Sequence, residues 1–224
     1  MTGGDARQNT SEGLGDAEIR SVLVPALQSR HAEALVLHEM PVRSTQAIID
    51  VVAIDDAMHA YEIKSDLDSL RRLRRQATYY DRTFDDVTLV TTRPLHAQYI
   101  PLHWGVIVVR SLGGAIELDW VRESQPNCSA RSEDLLYILR GTELVRILRS
   151  NGQMRVSGFS KAQLIRRVLE LLGEDRARTI ATEVLRLRRS WSVRQLGVED
   201  EDARLMHALS QALPRLAVFS QTLF

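Results

Sequence analysis

The sequence predicts an α/β protein in which a mixed sheet flanked by helices is followed by an all-helical C-terminal region. Three observations carry this expectation. Short apolar runs rich in Val and Ile crowd residues 34–63, a helical period separates them from further such runs at 87–91 and 104–109, and only helical periods follow residue 130.

Taken in order, residues 1–13 are rich in Gly, Ser, Thr, Asn and Asp without periodicity and are expected to form a disordered leader. Asp16 is the expected N-cap of a helix that aligns Ile19, Val22, Leu23, Ala26 and Leu27, with Glu18 and Arg20 in its first turn. The runs at 34–39, 47–54 and 58–63 read as consecutive strands, and Asp55 and Asp56 supply the turn between the second and third. Ser65, Asp66 and Asp68 then offer caps and negative charge to a helix reaching about residue 82, with Leu67, Leu70, Leu73, Ala77 and Tyr80 inward. Residues 87–91 form a β-branched strand parallel to the third, reached by a right-handed crossover. A short helix is expected at 96–100, a strand at 104–109, and an edge strand at 116–118 after the Gly113, Gly114 turn.

Ser, Gln, Pro, Asn and Cys then occur together without apolar period, so 123–130 reads as a linker between a domain at 14–122 and a helical domain at 131–224. The C-terminal periods predict helices at 132–149, 160–172, 174–189 and 201–213.

Composition narrows the function classes. With 44% hydrophobic and 26% charged residues in 224, the chain can bury a substantial core. No apolar run is long enough to span a bilayer and no secretory profile opens the chain, so a cytoplasmic protein without a membrane partner is expected. The lone Cys128 excludes an internal disulfide and leaves no second thiol for zinc, while His96, His103 and His207 lack metal-ligand spacing. Net charge is zero, so any attraction to nucleic acid must come from charge distribution. The chain uses arginine almost throughout, and its lysines are Lys64 and Lys161.

Chemistry gathers in the second and third strands. Alternation places Asp50 on one face with Ile48 and Val52, and Glu62 shares a face with Lys64, so a hairpin turning near residues 55–57 brings all three charged groups to one patch. Two carboxylates on an apolar sheet are costly unless a proton or cation neutralises them. A hard dication such as Mg²⁺ does so with oxygen ligands, and it can polarise a phosphate and activate a bound water. Lys64 suits such a site, because a lysine is a compact charge on a flexible stem. The blander reading is a solvated Glu–Lys pair beside a turn-capping Asp.

The pattern of Asp50 followed by Glu62-Ile63-Lys64 resembles the D...ExK core of the PD-(D/E)XK nuclease superfamily, with Ile49 where the family name has proline. The order of elements over residues 15–109 is similar to that family's restriction-endonuclease-like fold, and Gln76 to Tyr80 looks like the QxxxY element of its RecB-like branch. The stretch from Tyr61 to Tyr80, with Phe84-Asp85 and Pro101-Leu102-His103-Trp104-Gly105, further resembles a group of small bacterial proteins of that superfamily. The resemblance implies Asp50, Glu62 and the Ile63 carbonyl as ligands of Mg²⁺, with Mn²⁺ able to substitute. It implies Lys64 as catalytic lysine, Glu18 as an additional acid near the metal, and Gln76 and Tyr80 as residues reaching the site or the substrate backbone. Glu39 is a further acid on the neighbouring strand.

Arg71, Arg72 and Arg75, with Arg74, Arg82 and Arg93 nearby, are expected to meet substrate phosphates. Arginines on the later helices, among them Arg166, Arg167, Arg186, Arg188 and Arg189, suit a DNA clamp, a partner surface or a homodimer, if not packing alone. The expected function is a metal-dependent nuclease acting on nucleic acid, DNA first, in repair or in a mobile-element or defence context. The alternative is a nuclease-like fold that binds DNA or protein without turnover.

Overall fold

A computed structural model describes residues 13–188 apart from 44 and 67. The elements run α1 (Asp16–Arg30), β1 (Leu35–Val42), β2 (Ala47–Ile54), β3 (Met58–Lys64), a 3-10 turn (Leu70–Arg72), α2 (Leu73–Thr83), β4 (Asp86–Thr91), a second 3-10 segment (Pro94–Tyr99), β5 (Gly105–Leu112) and β6 (Ala115–Arg122). Four helices follow: α3 (Ser132–Leu136), α4 (Gly141–Ser150), α5 (Lys161–Leu172) and α6 (Glu174–Arg186). The expected helix at 201–213 and most of the expected leader lie outside the described residues.

The strands form a single mixed sheet in chain order, β1 to β6. β3, β4 and β5 run parallel to one another, whereas the β1–β2, β2–β3 and β5–β6 pairings are antiparallel. Helix α1 covers one face: Ile19, Leu23 and Leu27 pack on Val51, Ala53, Tyr61, Ile63, Val90, Ile107 and Val109. The other face carries the larger cluster, which joins Ile49, Val52, Ala60 and Leu89 to Tyr80 and Phe84 of the α2 region and to Leu164, Ile165, Val168, Ile180 and Val184 of the C-terminal helices.

That shared cluster changes the expected domain plan. The segment 123–130 does not divide the core: Asn127 N donates to Asp85 O at 2.8 Å, its side chain donates to Asp81 O and Phe84 O, and Gln125 N donates to His103 O. Of the uses open to α5 and α6, packing alone accounts for their buried apolar residues, which join the core of the sheet domain. A bidentate ion pair between buried Arg188 and Glu143 ties the end of this layer to α4.

Local chemistry explains the other departures. The cap of α1 is Gly15 in place of Asp16, because Gly15 N donates to Glu18 Oε2 at 2.8 Å. α2 starts at Leu73, well after Ser65, because Asp68 Oδ2 accepts from both Ser65 N and Ser65 Oγ and holds a turn of its own. The helix expected over 132–149 breaks into α3 and α4 before Gly141, where Glu143 Oε2 accepts from Arg140 N. β6 is an eight-residue edge strand, longer than its apolar core suggests, since its outward residues are exposed.

One irregularity shapes the site. β1 and β2 pair from Leu35↔Ile54 to Val42↔Ala47, but the rung between Glu39 and Asp50 is missing, and Glu39 has φ 53°. Leu37 and then Met40 and Val42 enter the larger cluster on β1, as do Ala47 and Ile49 and then Val52 and Ile54 on β2. Both strands therefore slip their alternation by one residue at the same rung, and register survives.

Candidate active site

The ladder between β2 and β3 ends at Val51↔Tyr61, so the strands splay where Asp50 and Glu62 begin. The Asp50 side chain fills the gap. Its Oδ2 accepts from Ile63 N at 2.7 Å, replacing the lost rung, and its Oδ1 lies 3.3 Å from Arg20 Nη2. Glu62, only 1% exposed, accepts from Lys64 Nζ on Oε1 at 2.5 Å and faces Tyr80 Oη at 2.9 Å on Oε2. Lys64 Nζ also donates to the Ile63 carbonyl at 3.1 Å. Asp50, Glu62, Ile63 and Lys64 line one cleft of about 290 Å³, together with Asp16, Arg20, Glu39, Asp68, Arg72 and Gln76.

Other expected residues take different places. Glu18 turns back to cap its own helix, while Asp16 lines the cleft instead. Tyr80 is fully buried and reaches the site through its hydroxyl, which holds Glu62, lies 2.7 Å from Ile48 O and accepts from Gln76 Nε2 at 3.2 Å. Arg72 lines the cleft, whereas Arg71 and Arg75 are exposed outside its lining. Glu39 does approach the site, through Arg20, whose Nη2 donates to it at 2.6 Å.

Arg20 was not expected there. It also donates to Asp16 Oδ2 and to the Asp50 carbonyl, so one guanidinium gathers three acidic side chains and a strand backbone. Its partners on β1 and β2 are 19 and 30 residues away in the chain, and no local pattern marks it.

Burial sets the protonation of the site. Asp50 rises from 3.8 to about 7, first because it is desolvated and then because Glu62 is close; Ile63 N–H, Lys64 and Arg20 oppose the rise. Glu62 is likewise pushed up by burial, against the pull of Lys64 and Tyr80. Five carboxylates face three cations around the cleft. Asp50, Glu62 and the Ile63 carbonyl are an all-oxygen donor set, and the desolvated acids lack full compensation, which fits a hard dication such as Mg²⁺.

The sign of the pH effect follows. With its folded value above its unfolded one, Asp50 makes the folded chain bind a proton that the unfolded chain has released between about pH 4 and 7. Its contribution to stability is therefore lost as pH rises through that window, by on the order of 4 kcal/mol at most. In thermal denaturation without metal, wild type should lose stability from pH 5 to pH 8 relative to Asp50→Asn, and Mg²⁺ should restore more at pH 8 than at pH 5. A wild-type advantage that grows with pH would contradict this assignment.

Tyr80→Phe removes the hydroxyl that serves Glu62, Ile48 O and Gln76. A loss of about 1–3 kcal/mol is expected in denaturant titration, with Mn²⁺ affinity lowered about 10–100-fold in calorimetry. Unchanged metal affinity would mean that Tyr80 does not position Glu62 as a ligand.

A family model described as Bacteriophage P4 protein cII matches residues 9–202. The chain belongs to the bacteriophage P4 cII protein family. The cII match runs through the sheet, the cleft and the described helices α3 to α6, in keeping with their common core. Protein cII of Enterobacteria phage P4 is 32% identical over 82 residues, which cover 36% of this chain and 31% of that relative. Among solved structures, a protein of unknown function from Silicibacter pomeroyi is 15% identical and aligns over 58% of this chain and 88% of its own, with a TM-score of 0.34. None of the described helices is long and apolar enough to cross a membrane.

Proposed function

We propose that this cII-family chain is a Mg²⁺-dependent nuclease that hydrolyses phosphodiester bonds of nucleic acid, with DNA as its substrate. The observation that supports this reading is the convergence of Asp50, Glu62, the Ile63 carbonyl and Lys64 on one cleft at the splayed end of β2 and β3. These are the residues whose order resembles the PD-(D/E)XK core. A phage relative agrees with a mobile-element setting.

A dication held by Asp50, Glu62 and the Ile63 carbonyl would polarise the scissile phosphate and acidify a bound water. Lys64, whose ammonium now pairs with Glu62 at the cleft, would orient the attacking water or offset charge developing on the phosphoryl oxygens. Tyr80 and the Ile63 N–H fix the two carboxylates. Arg72 on the cleft wall, with exposed Arg71 and Arg75 on the same segment, holds the phosphate backbone.

The test is cleavage of a panel of labelled duplex, single-stranded and branched DNA and of RNA, with Mg²⁺, Mn²⁺ or chelator. Metal-dependent cutting of at least one DNA form is expected. A second reading, a DNA- or protein-binding module without turnover, draws on Arg20, which already supplies Asp50 with a counter-charge. Calorimetry that finds no Mg²⁺ or Mn²⁺ binding at these carboxylates, with no cleavage of any substrate, would favour it.

A further inference from the structure

We infer that His31, Asp55 and His59 form a second, separate binding site for a first-row transition-metal dication of the Zn²⁺ class. His31 caps the end of α1, Asp55 opens the β2–β3 turn, and His59 follows on β3. Each offers a ligand atom, and these atoms lie within 4.8 Å of one another. His31 Nδ1 is 3.0 Å from Asp55 Oδ2, and His59 Nε2 is 3.2 Å from Asp55 Oδ1. Nitrogen and oxygen ligands about 2.0–2.2 Å from a common metal stand at separations of this order.

What distinguishes the cluster from an ordinary His–Asp contact is its outer partners. The ring nitrogen of His59 that faces away, Nδ1, is 2.6 Å from Asp86 Oδ2, and Asp86 Oδ1 accepts from Ser124 Oγ. His31 Nε2 is 3.2 Å from Tyr61 Oη. A carboxylate on Nδ1 fixes the proton there and leaves Nε2 to ligate, which is how metal-bound imidazoles are commonly oriented. The two rings have centroids 4.3 Å apart and are tilted by 30°, and their ligand atoms are close enough to serve one ion.

Two imidazoles and one carboxylate select Zn²⁺, Co²⁺ or Fe²⁺ over Mg²⁺, which prefers oxygen. All three side chains are partly exposed, so an ion can enter and carry water in its remaining position. The site lies near the turn, on the sheet side that carries Tyr61 and Ile63 and is covered by α1; Glu62 points the other way toward Tyr80. It would brace the end of α1 to the hairpin that carries Asp50 and Glu62.

The test is titration of the full chain, stripped by chelator, with Co²⁺ read by visible absorption and displaced by Zn²⁺. One Co²⁺ of micromolar affinity or tighter, with nitrogen-type absorption, is expected, and it should persist in Asp50→Asn. Affinity should fall at least about tenfold in His59→Gln and about 10–100-fold in Asp86→Asn. If His59→Gln loses its far-ultraviolet circular dichroism, His31→Gln, altered at the helix end, decides in its place. No Co²⁺ binding, equal affinity in the histidine variant that folds, or loss in Asp50→Asn would overturn the inference.

Discussion

Lys64→Ala is expected to lower metal-dependent DNA cleavage by about 10²–10³-fold while the chain still binds Mn²⁺. Lys64 contacts Glu62 and the Ile63 carbonyl without supplying a ligand itself, so its loss removes charge stabilisation and leaves the donor set in place. Asp50→Asn should behave differently. It should lose metal affinity and cleavage together, because the carboxylate is both a proposed metal ligand and the acceptor that holds Ile63 N–H. Cleavage kinetics beside Mn²⁺ calorimetry separate the two. If both variants cut like wild type, the cleft is not the nuclease site; if Lys64→Ala loses Mn²⁺ altogether, the lysine is acting on the fold and not on the reaction.

Trp104→Ala should carry the largest loss of stability, about 3–5 kcal/mol in denaturant titration followed by circular dichroism. Trp104 is fully buried, its Nε1 donates to Asp81 Oδ1 at 2.6 Å, and its ring sits 6.2 Å from that of Tyr80. Tyr80 in turn holds Glu62, so the cavity opened by the substitution would loosen a residue of the candidate site from behind. Trp104→Phe keeps most of the apolar volume and should cost less. An alanine variant within about 1 kcal/mol of wild type would mean that the site collapses around the gap.

The parts of the fold that were legible in the sequence are those whose signals are local. The periods of β2 and β3 and the acidic turn between them bring Asp50, Glu62 and Lys64 together, and the spacing of Gln76 and Tyr80 sets them on one side of α2. Less legible were features that depend on distant partners. Position alone points Glu18 toward the site, but its carboxylate accepts from Gly15 N at the start of its own helix, where backbone donors lack helical partners. Arg20 gained its place from β1 and β2. The His31, Asp55 and His59 cluster joins three elements, and such a grouping leaves no spacing rule in the chain. The C-terminal helices looked like a separate unit because amphipathic periods do not say which surface they will cover.

The paired slip of β1 and β2 at Glu39 and Asp50 has an evolutionary consequence. Each strand carries one residue more at this rung than strict alternation needs, so a deletion in one strand alone would leave the other with an unmatched extra residue, whereas matched deletions in both would leave a regular ladder with the same apolar set inside. A descendant that shortened both strands at this rung would keep its fold but lose the acid at position 50, so here the length of the hairpin and its carboxylate are tied together.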